Sequence, residues 1–289
     1  MFGRMFTRIQ EVVNNIRFYS SFTCDLCKTA PCGWLISRCH LNTARTCCNR
    51  NRSAGSSKST LQSYYQIDNM ANSVKTFVFL DLEATGLNNE NPKITEICLV
   101  AIHVSSLENS VTNSSGHPQL PRILDKLSLC VDPGKPINGI ASQITGLSNT
   151  NLGNNEKQHF NSCLFNIVSE FLIRQAQPVC LVAHNGFNYD YPLLKSELQQ
   201  QNIDLPSSLL CMDSLKVFQN LDNQGSNVER KSYALPKIYE RFFGEEPVNS
   251  HYAEGDVLTL IMVFLSKTNQ ILETVSTQFK NWGEIKSMY

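Results

Sequence analysis

The sequence has no hydrophobic run long enough to cross a membrane. The longest uninterrupted apolar run near the C-terminus, Leu260–Leu265, is far shorter than the roughly 18–20 residues that a membrane-spanning helix requires. A secretory signal with a long apolar segment is also missing, and the sequence shows no internal repeat. We therefore expect neither an integral membrane protein nor a disulfide framework. Hydrophobic residues make up 42% of the 289 residues and aromatics 9%, which is enough for a sizeable core.

The chain also lacks net charge, because 25 Lys and Arg balance 25 Asp and Glu. Residues 1–58 nevertheless hold nine basic and two acidic residues, so 16 basic and 23 acidic residues remain for the rest. A basic head before an acidic body indicates two segments with different roles. Six of the 11 cysteines lie in the head. The other five are interpreted as free thiols within apolar patterns: Cys98, Cys130, Cys163, Cys180 and Cys211.

Residues 1–70 are predicted to be a basic, cysteine-containing extension that is either disordered or used for targeting. Within residues 1–20, arginines, a single acid and apolar residues at helical spacing are typical of a mitochondrial transit peptide. A basic N-terminus of no fixed structure, or sequence upstream of a start at Met70, would have the same composition. The head cysteines with His40 offer zinc ligands, but their spacings do not form a pair of Cys-x-x-Cys knuckles. Residues 49–75, rich in Ser, Asn, Arg and Lys, are predicted to be a linker.

From Thr76 the pattern becomes that of a folded body. Short apolar, β-rich runs predict strands at 76–82, 93–103, 125–131, 179–183 and 209–212. Helical periodicity and Pro or Gly at the expected boundaries predict helices at 156–177, 191–201, 235–243 and 253–272, with another after Asp213. The polar stretch 105–121 is predicted to be a loop. Three strands followed by alternating strands and helices predict an α/β fold with a mixed sheet flanked by helices.

The first predicted strand ends in two carboxylates, Asp81 and Glu83. Residues i and i+2 of a strand face the same way, so both side chains project together just before the turn at Gly86. Two neighbouring carboxylates repel each other, and a hard divalent cation removes that repulsion. The alternative is an ordinary solvated pair at a strand end.

Two later segments add a second set of candidate residues. Asp190 opens a predicted helix after the buried strand 179–183, where it could also serve only as a helix cap. Asp256 lies in the first turn of the last helix, where the helix dipole favours an anion. His251, just before that helix, could accept a proton from water at neutral pH, or be a solvent-exposed loop histidine.

These three segments, taken together, resemble the exonuclease motifs of the DnaQ-like DEDDh 3′→5′ exonucleases. Within that superfamily the chain is most similar to the three-prime repair exonucleases, the TREX family. The resemblance covers roughly residues 76–270 and rests on a series of strings in order: FLDLEATGL (79–87), PKITEICLVAIH (92–103), DKLSLCVDPGK (125–135), ASQITGL (141–147), CLVAHNGFNYDYPLL (180–194), RKSYAL (230–235) and SHYAEGDVL (250–258). It implies the RNase H-like (DnaQ-like) exonuclease fold, with 271–289 as a C-terminal tail.

The resemblance also implies a chemistry for these residues. Two Mg²⁺ ions, for which Mn²⁺ may substitute, would be held by four carboxylates, and His251 would deprotonate the attacking water. The four are Asp81, Glu83, Asp190 and Asp256. Nucleoside 5′-monophosphates would then be released one by one from the 3′ end of DNA that is single-stranded or frayed.

Substrate contacts follow from the same resemblance. Glu83, Ala84 and Asp256 would border the terminal nucleotide, and Tyr189 would contact the region of the scissile phosphate. Leu87 and Ile144 would wedge against the terminal bases, while His184 and the segment 230–232 would contact the strand. Two positions depart from the family pattern. Tyr252 also satisfies the Tyr-x-x-x-Asp spacing of the sister DEDDy branch, and Asn188 stands where a basic residue is common.

The remaining expectations concern partners and compartment. The family forms homodimers through an exposed strand edge, for which 127–131 is the candidate segment. We expect a chain without the C-terminal membrane tail of some relatives, and a nuclear or cytoplasmic enzyme, or a mitochondrial one if the head is a transit peptide. Two alternatives stay open: a 3′ exoribonuclease of the same fold, and a catalytically silent nucleic-acid-binding module. The second would predict loss of a carboxylate or of the histidine, and all five are present.

Overall fold

A computed structural model describes residues 74–223, 231–274 and 277–289. The basic head and its cysteines lie outside these residues, so its predicted targeting, zinc-binding and linker roles remain predictions. Six strands form one sheet: β1 (Thr76–Ala84), β2 (Ile94–His103), β3 (Asp125–Cys130), β4 (Val179–Ala183), β5 (Leu210–Asp213) and β6 (Phe279–Asn281). The strand order is β3-β2-β1-β4-β5-β6.

The sheet is mixed, as predicted. β1 pairs with β2 in antiparallel and with β4 in parallel orientation, so it lies in the middle of the sheet. β4 and β5 are parallel, while β3 and β6 form antiparallel edges. The carboxyl ends of the parallel strands β1 and β4 therefore open at the same end of the sheet, which is where ligands bind in open α/β sheets.

Helices cover both faces of this sheet. In the described ranges they are α1 (Val104–Glu108), α2 (Gly139–Thr145), α3 (Asn149–Asn154), α4 (Ser162–Ile173), α5 (Asp190–Gln200), α6 (Ser214–Asn223), α7 (Leu235–Phe243), α8 (Ala253–Leu265) and α9 (Thr268–Thr274). None of them is long and apolar enough to span a bilayer.

Strand β1 contributes side chains to two hydrophobic cores. Val78 and Leu80 face the core that includes α4 and α5. Phe77 and Phe79 face the other core, where both rings contact Phe264 of α8. Because side chains alternate along a strand, Asp81 and Glu83 continue the row that faces α8.

Several predicted boundaries differ from the structure. The helix predicted at 156–177 begins only at Ser162, because the Asn161 side chain accepts the backbone N–H of Leu164 at 3.0 Å and caps it. The helix predicted at 253–272 is two helices, α8 and α9. The predicted loop 105–121 begins inside α1, and the short helices α2 and α3 were not predicted.

The C-terminal residues 271–289, described above as a tail, contribute to the sheet and its core. β6 pairs with β5, and Trp282 is fully buried. The ammonium group of Lys195 donates to the Trp282 carbonyl at 3.0 Å and lies 5.2 Å from the centre of its ring. The segment therefore packs against α5, the helix that begins with Asp190.

Candidate active site

Three carboxylates from two elements meet at the carboxyl end of β1. One oxygen from each of Asp81, Glu83 and Asp256 lies within 4.8 Å of the others. Asp81 and Glu83 share a face of β1, and Asp256 lies in the first turn of α8, which packs across that face. The structure therefore brings together residues 173 to 175 positions apart in the sequence, as the motif spacing predicted.

Asp190 belongs to the same centre. It begins α5 and is buried. Burial is the main reason that the pKa of Asp81 is raised, and among the neighbouring carboxylates the charge of Asp190 raises that pKa most. The turn before α5 is tightly packed, because a Cβ at Gly186 would lie 2.6 Å from the Ala183 side chain and 2.8 Å from the ring of Tyr191. The Tyr191 hydroxyl donates to the Met212 carbonyl at 2.6 Å, which fixes the first turn of α5 to β5.

The four carboxylates, which we call the acidic centre, lie in an environment that opposes their negative charge. Burial, followed by mutual repulsion, raises the pKa of Asp81 well above its usual range and that of Glu83 to about 8. Burial also raises the pKa of Asp190, to about 7, and that of Asp256. These shifts mean that the four carboxylates are unfavourable as unpaired negative charges, so the acidic centre favours binding protons or cations.

The acidic centre fits a divalent metal. All of its donors are carboxylate oxygens, the ligands that hard cations such as Mg²⁺ and Mn²⁺ prefer. Asp256 Oδ1 is buried without a hydrogen-bond partner among the described residues, while its Oδ2 accepts the His251 backbone N–H at 3.1 Å. A buried carboxylate oxygen left unpaired is costly, and a cation is the partner that its neighbours would also need.

His251 lies beside the acidic centre on the loop before α8. Its side chain is exposed, and its backbone has a φ of 67°, in the left-handed region. The loop is packed closely against the first turn of α8, since a Cβ at Gly255 would lie 2.1 Å from the Asn249 carbonyl oxygen. With the hydrogen bond to Asp256, this packing fixes the backbone of His251 and leaves its imidazole open to solvent.

The neighbouring Tyr252 has a different environment. Its ring lies against Gly146, just beyond the end of α2, where a Cβ would be 3.9 Å from it. Tyr252 lines a separate cavity together with Thr145, Val248 and Leu258. That cavity includes none of the four carboxylates of the acidic centre.

Glu96 is a fifth carboxylate in this region, and the sequence analysis did not identify it. It lies directly opposite Glu83 in the register of β1 and β2. Its Oε2 accepts the backbone N–H of Ala253, the first residue of α8, at 3.2 Å. Lys126 of β3 also pairs with Glu254 at 2.6 Å, so β2 and β3 both hold the N-terminal turn of α8.

An apolar cavity of about 310 Å³ adjoins the acidic centre at Glu83. We call it the slot. One wall is the turn after β1 and the other is α2, and the lining includes the predicted contacts Ala84, Leu87, Ile144 and Tyr189, with the additional residue Ile140. The Tyr189 hydroxyl donates to the Gly86 carbonyl at 2.6 Å, and the side-chain amide of Asn88 donates to the Asn188 carbonyl at 3.1 Å.

His184, predicted to contact the strand, uses both ring nitrogens inside the protein. Nε2 lies 2.8 Å from the Tyr233 carbonyl oxygen and must donate to it, and Nδ1 lies 2.8 Å from Ser214 Oγ. Burial lowers the pKa of His184. The side chain thus connects the end of β4 with the segment before α7. In that segment Lys231 pairs with Asp222 at 3.8 Å, whereas residue 230 lies outside the described ranges.

Comparison with known proteins identifies the family to which the chain belongs. A family model described as an exonuclease, RNase_T, matches residues 78–264. Three prime repair exonuclease 2 of Mus musculus is 47% identical over 219 residues, covering 74% of this chain and 93% of its own length. The chain belongs to the three prime repair exonuclease family. Three-prime repair exonuclease 1 of Homo sapiens is 44% identical over 225 residues, which are 75% of this chain and 71% of that protein.

Comparison with a solved structure supports the fold of this family member. The nuclease domain of 3′hExo, a DEDDh family member bound to rAMP, superposes with a TM-score of 0.55. It is 13% identical and covers 72% of this chain and 97% of that one. The RNase H-like exonuclease fold implied by the sequence is therefore confirmed. DEDDh exonucleases use divalent metal ions, which agrees with the all-oxygen donors of the acidic centre.

Proposed function

We propose that this three prime repair exonuclease hydrolyses DNA from its 3′ end and releases nucleoside 5′-monophosphates. The observation that carries the proposal is the joining of the acidic centre to the slot through Glu83. With a phosphodiester at the acidic centre, the slot that adjoins it at Glu83 would hold the terminal nucleotide.

Divalent metal is the cofactor that the acidic centre would hold through Asp81, Glu83, Asp190 and Asp256, and we propose Mg²⁺, with Mn²⁺ able to replace it. When bound, such ions neutralise charge on the phosphate and lower the pKa of coordinated water. Their positive charge also offsets the acidic character of the body where the DNA backbone must approach. The four residues would contribute oxygen ligands from strand β1 and from the first turns of α5 and α8.

His251 is proposed as the general base. Its imidazole is exposed to solvent while its backbone is fixed by the hydrogen bond to Asp256. A histidine in this setting can take a proton from water at the edge of the acidic centre and pass it to solvent. We propose His251 for this role in preference to Tyr252, whose ring lies beside Gly146 and lines a separate cavity.

On the substrate side, we propose that Leu87 and Ile144 contact the terminal base from opposite walls of the slot. Tyr189 would act near the scissile phosphate, and its bond to Gly86 also steadies the turn that carries Leu87. His184 is proposed to act on the strand indirectly, by holding the segment that includes Lys231 and Ser232. Both of its ring nitrogens are already bonded within the protein.

A second copy of this chain is the proposed protein partner. β3 is an edge of the sheet with an outer side that no described strand covers, and its segment 127–131 carries no charge. Edge strands of this kind pair readily with another strand. Light scattering of the full chain should give twice the monomer mass. The proposed compartment is the nucleus or cytoplasm, and the mitochondrion if the head is a transit peptide.

The function is tested by incubating the full chain with DNA and RNA labelled at the 5′ end and at the 3′ end, with and without Mg²⁺. We expect single nucleotides to be removed from the 3′ end of single-stranded DNA, no activity in EDTA, and recovery on adding Mg²⁺ or Mn²⁺. Duplex DNA should be cleaved from frayed ends. Preferred cleavage of RNA would instead support the exoribonuclease alternative, and binding without cleavage the silent module.

A further inference from the structure

The slot contains an apolar side chain that the family resemblance did not assign. Ile140 is the second residue of α2, and its side chain is 69% exposed. It lies four positions before Ile144, so both project from the same face of the helix. Leu87, which is 71% exposed, faces them from the turn after β1. Three exposed large hydrophobic side chains of the described body thus line one cavity.

We propose that Ile140 is a third apolar contact with the 3′-terminal nucleotide, and that a hydrogen bond between Asn138 and Glu90 sets the spacing between the walls of the slot. This inference rests on the function proposed above. Exposed apolar side chains that converge on one cavity mark a ligand site. The position of the slot identifies its occupant. Glu83 belongs to both the slot and the acidic centre, so the group bound in the slot would be the nucleotide about to be released.

The two walls are connected through Asn138 and Glu90. The Asn138 backbone N–H donates to the Thr85 carbonyl at 2.9 Å, and its side-chain amide donates to Glu90 Oε1 at 3.1 Å. Glu90 Oε2 in turn accepts the backbone N–H of Leu87 at 3.1 Å. Glu90 therefore holds the residue before α2 and the backbone of the opposite wall at the same time.

Two further features support this connection. The Asn138 side-chain oxygen caps α2 by accepting the Ile140 N–H at 2.9 Å. A Cβ at Gly86 would lie 1.9 Å from Glu90 Oε2, so the carboxylate reaches its position only because residue 86 is glycine. A slot whose walls are connected before substrate arrives avoids the entropic cost of ordering them on binding.

The contact is tested with Ile140→Ala in the full chain, with Ile167→Ala as the matched control. Ile167 is also an exposed helical isoleucine, on α4 and outside the slot. With Mg²⁺ present, we expect Ile140→Ala to raise the inhibition constant of a nucleoside 5′-monophosphate product about fivefold, because roughly half of an isoleucine side chain loses its contact. Ile167→Ala should match wild type in this inhibition constant and in the rate at saturating single-stranded DNA.

The connection is tested by exchanging its donor and acceptor. Asn138→Asp keeps the cap on α2 but places a second carboxylate next to that of Glu90. The two carboxylates repel each other and separate the walls, so KM for single-stranded DNA should rise about tenfold. In the double variant with Glu90→Gln, the glutamine amide N–H can donate to the new carboxylate at position 138. The amide oxygen of the glutamine still accepts the Leu87 N–H. The double variant should return KM to within about twofold of wild type. A purely structural role for Glu90 would not produce this rescue.

The outcomes separate the inference from the proposed function. If wild type releases no nucleotides, the proposed function fails. If wild type is active but Ile140→Ala behaves like Ile167→Ala, Ile140 does not contact the nucleotide. If Asn138→Asp leaves KM unchanged, or Glu90→Gln fails to rescue a folded double variant, the hydrogen bond does not set the spacing of the walls.

Discussion

The acidic centre and the slot share Glu83 but are held by different parts of the fold. The carboxylates of the acidic centre come from the middle strand of the sheet and from the first turns of α5 and α8, all anchored in the cores. The slot is built from a turn and the seven-residue helix α2, connected by polar side chains. The difference teaches that the hydrophobic cores position the acidic centre, whereas surface elements form the slot in which the proposed function places the terminal nucleotide. Changes in the acidic centre should therefore alter kcat, and changes in the slot should alter KM.

The largest expected effect is that of Asp81→Asn. Asp81 lies on the middle strand of the sheet, and its replacement would remove one of the proposed ligands for the divalent ions that stabilise charge in the reaction. We expect the single-turnover rate on single-stranded DNA to fall by about three orders of magnitude, since several kcal/mol of stabilisation depend on these ions. KM for DNA should change little, because the slot is untouched. Wild-type activity in this variant, or activity in EDTA, would refute the metal assignment.

Melting curves give the matching control. Because burial and repulsion raise the pKa of Asp81 in the folded state, its ionisation costs stability above the unfolded pKa near 4, and that cost is absent once it is protonated. In EDTA at neutral pH, Asp81→Asn should therefore melt at or above the temperature of wild type. Adding Mg²⁺ should raise the wild-type melting temperature more than that of the variant. The same shift in both proteins would show that the ions bind elsewhere.

The second expected effect, in order of size, concerns His251. It differs from the carboxylates in being exposed and placed by backbone contacts alone. His251→Ala should lower kcat about 10²–10⁴-fold, the usual contribution of general base catalysis. Tyr252→Phe is the matched control, because its ring lies against Gly146 and should leave the rate within about twofold. The reverse ranking would assign the base to Tyr252.

Glu96 sharpens the comparison, because it lies next to the acidic centre, opposite Glu83, and would act by positioning α8. Glu96→Ala removes the acceptor of the Ala253 N–H, so the first turn of α8 loses its anchor to β2. We expect kcat to fall about tenfold, since a lost cap or hydrogen bond is worth roughly 1 kcal/mol. Glu96→Gln keeps an acceptor oxygen and should retain most of the activity. Equal losses in the two variants would mean that the charge of Glu96 matters, and the Mg²⁺ requirement should then change in both.

The same contrast explains what could be predicted from the sequence. The carboxylates of β1 were predictable because strand alternation places i and i+2 together, and because β1 and β4 are long apolar runs with clear ends. Glu96 was not, because one glutamate inside the string PKITEICLVAIH is indistinguishable from a surface residue until its register with Glu83 is known. The periodicity of one segment does not indicate which strand pairs with it, or in which register.

The slot was less predictable than the acidic centre for a related reason. α2 has only seven residues and follows a stretch rich in Pro, Gly and Asn, so no helical period is visible there. Ile140 therefore gave no signal, although the cap residue Asn138 two positions earlier is one that could have been found. The partners of His184 lie 30 and 49 residues away, and only the folded chain shows that both of its nitrogens are used.

The smallest expected effect is that of removing the head. Residues 1–70 lack the periodicity of a packed domain and precede every described strand. The described body begins at Val74, which is buried, and the Lys75 N–H donates to the Pro178 carbonyl at 2.9 Å. A shortened chain that starts at Met70 keeps both the acidic centre and the slot. We expect its kcat and KM to match those of the full chain, with a melting temperature within about 2 °C, which corresponds to under 1 kcal/mol for a body of this size.

The head should then affect only the compartment to which the protein is sent. Further measurements distinguish the three hypotheses for it: a transit peptide, sequence upstream of a start at Met70, and a zinc module. If residues 1–30 are a transit peptide, their fusion to a fluorescent reporter should direct the reporter to mitochondria, whereas a diffuse reporter favours a start at Met70. If the head cysteines instead build a zinc module, purified full chain should contain stoichiometric zinc, and the shortened chain should melt several degrees lower, because metal binding contributes directly to folding. A fall in kcat on removing the head would contradict all three readings, since it would place part of the chemistry outside the core that holds the carboxylates.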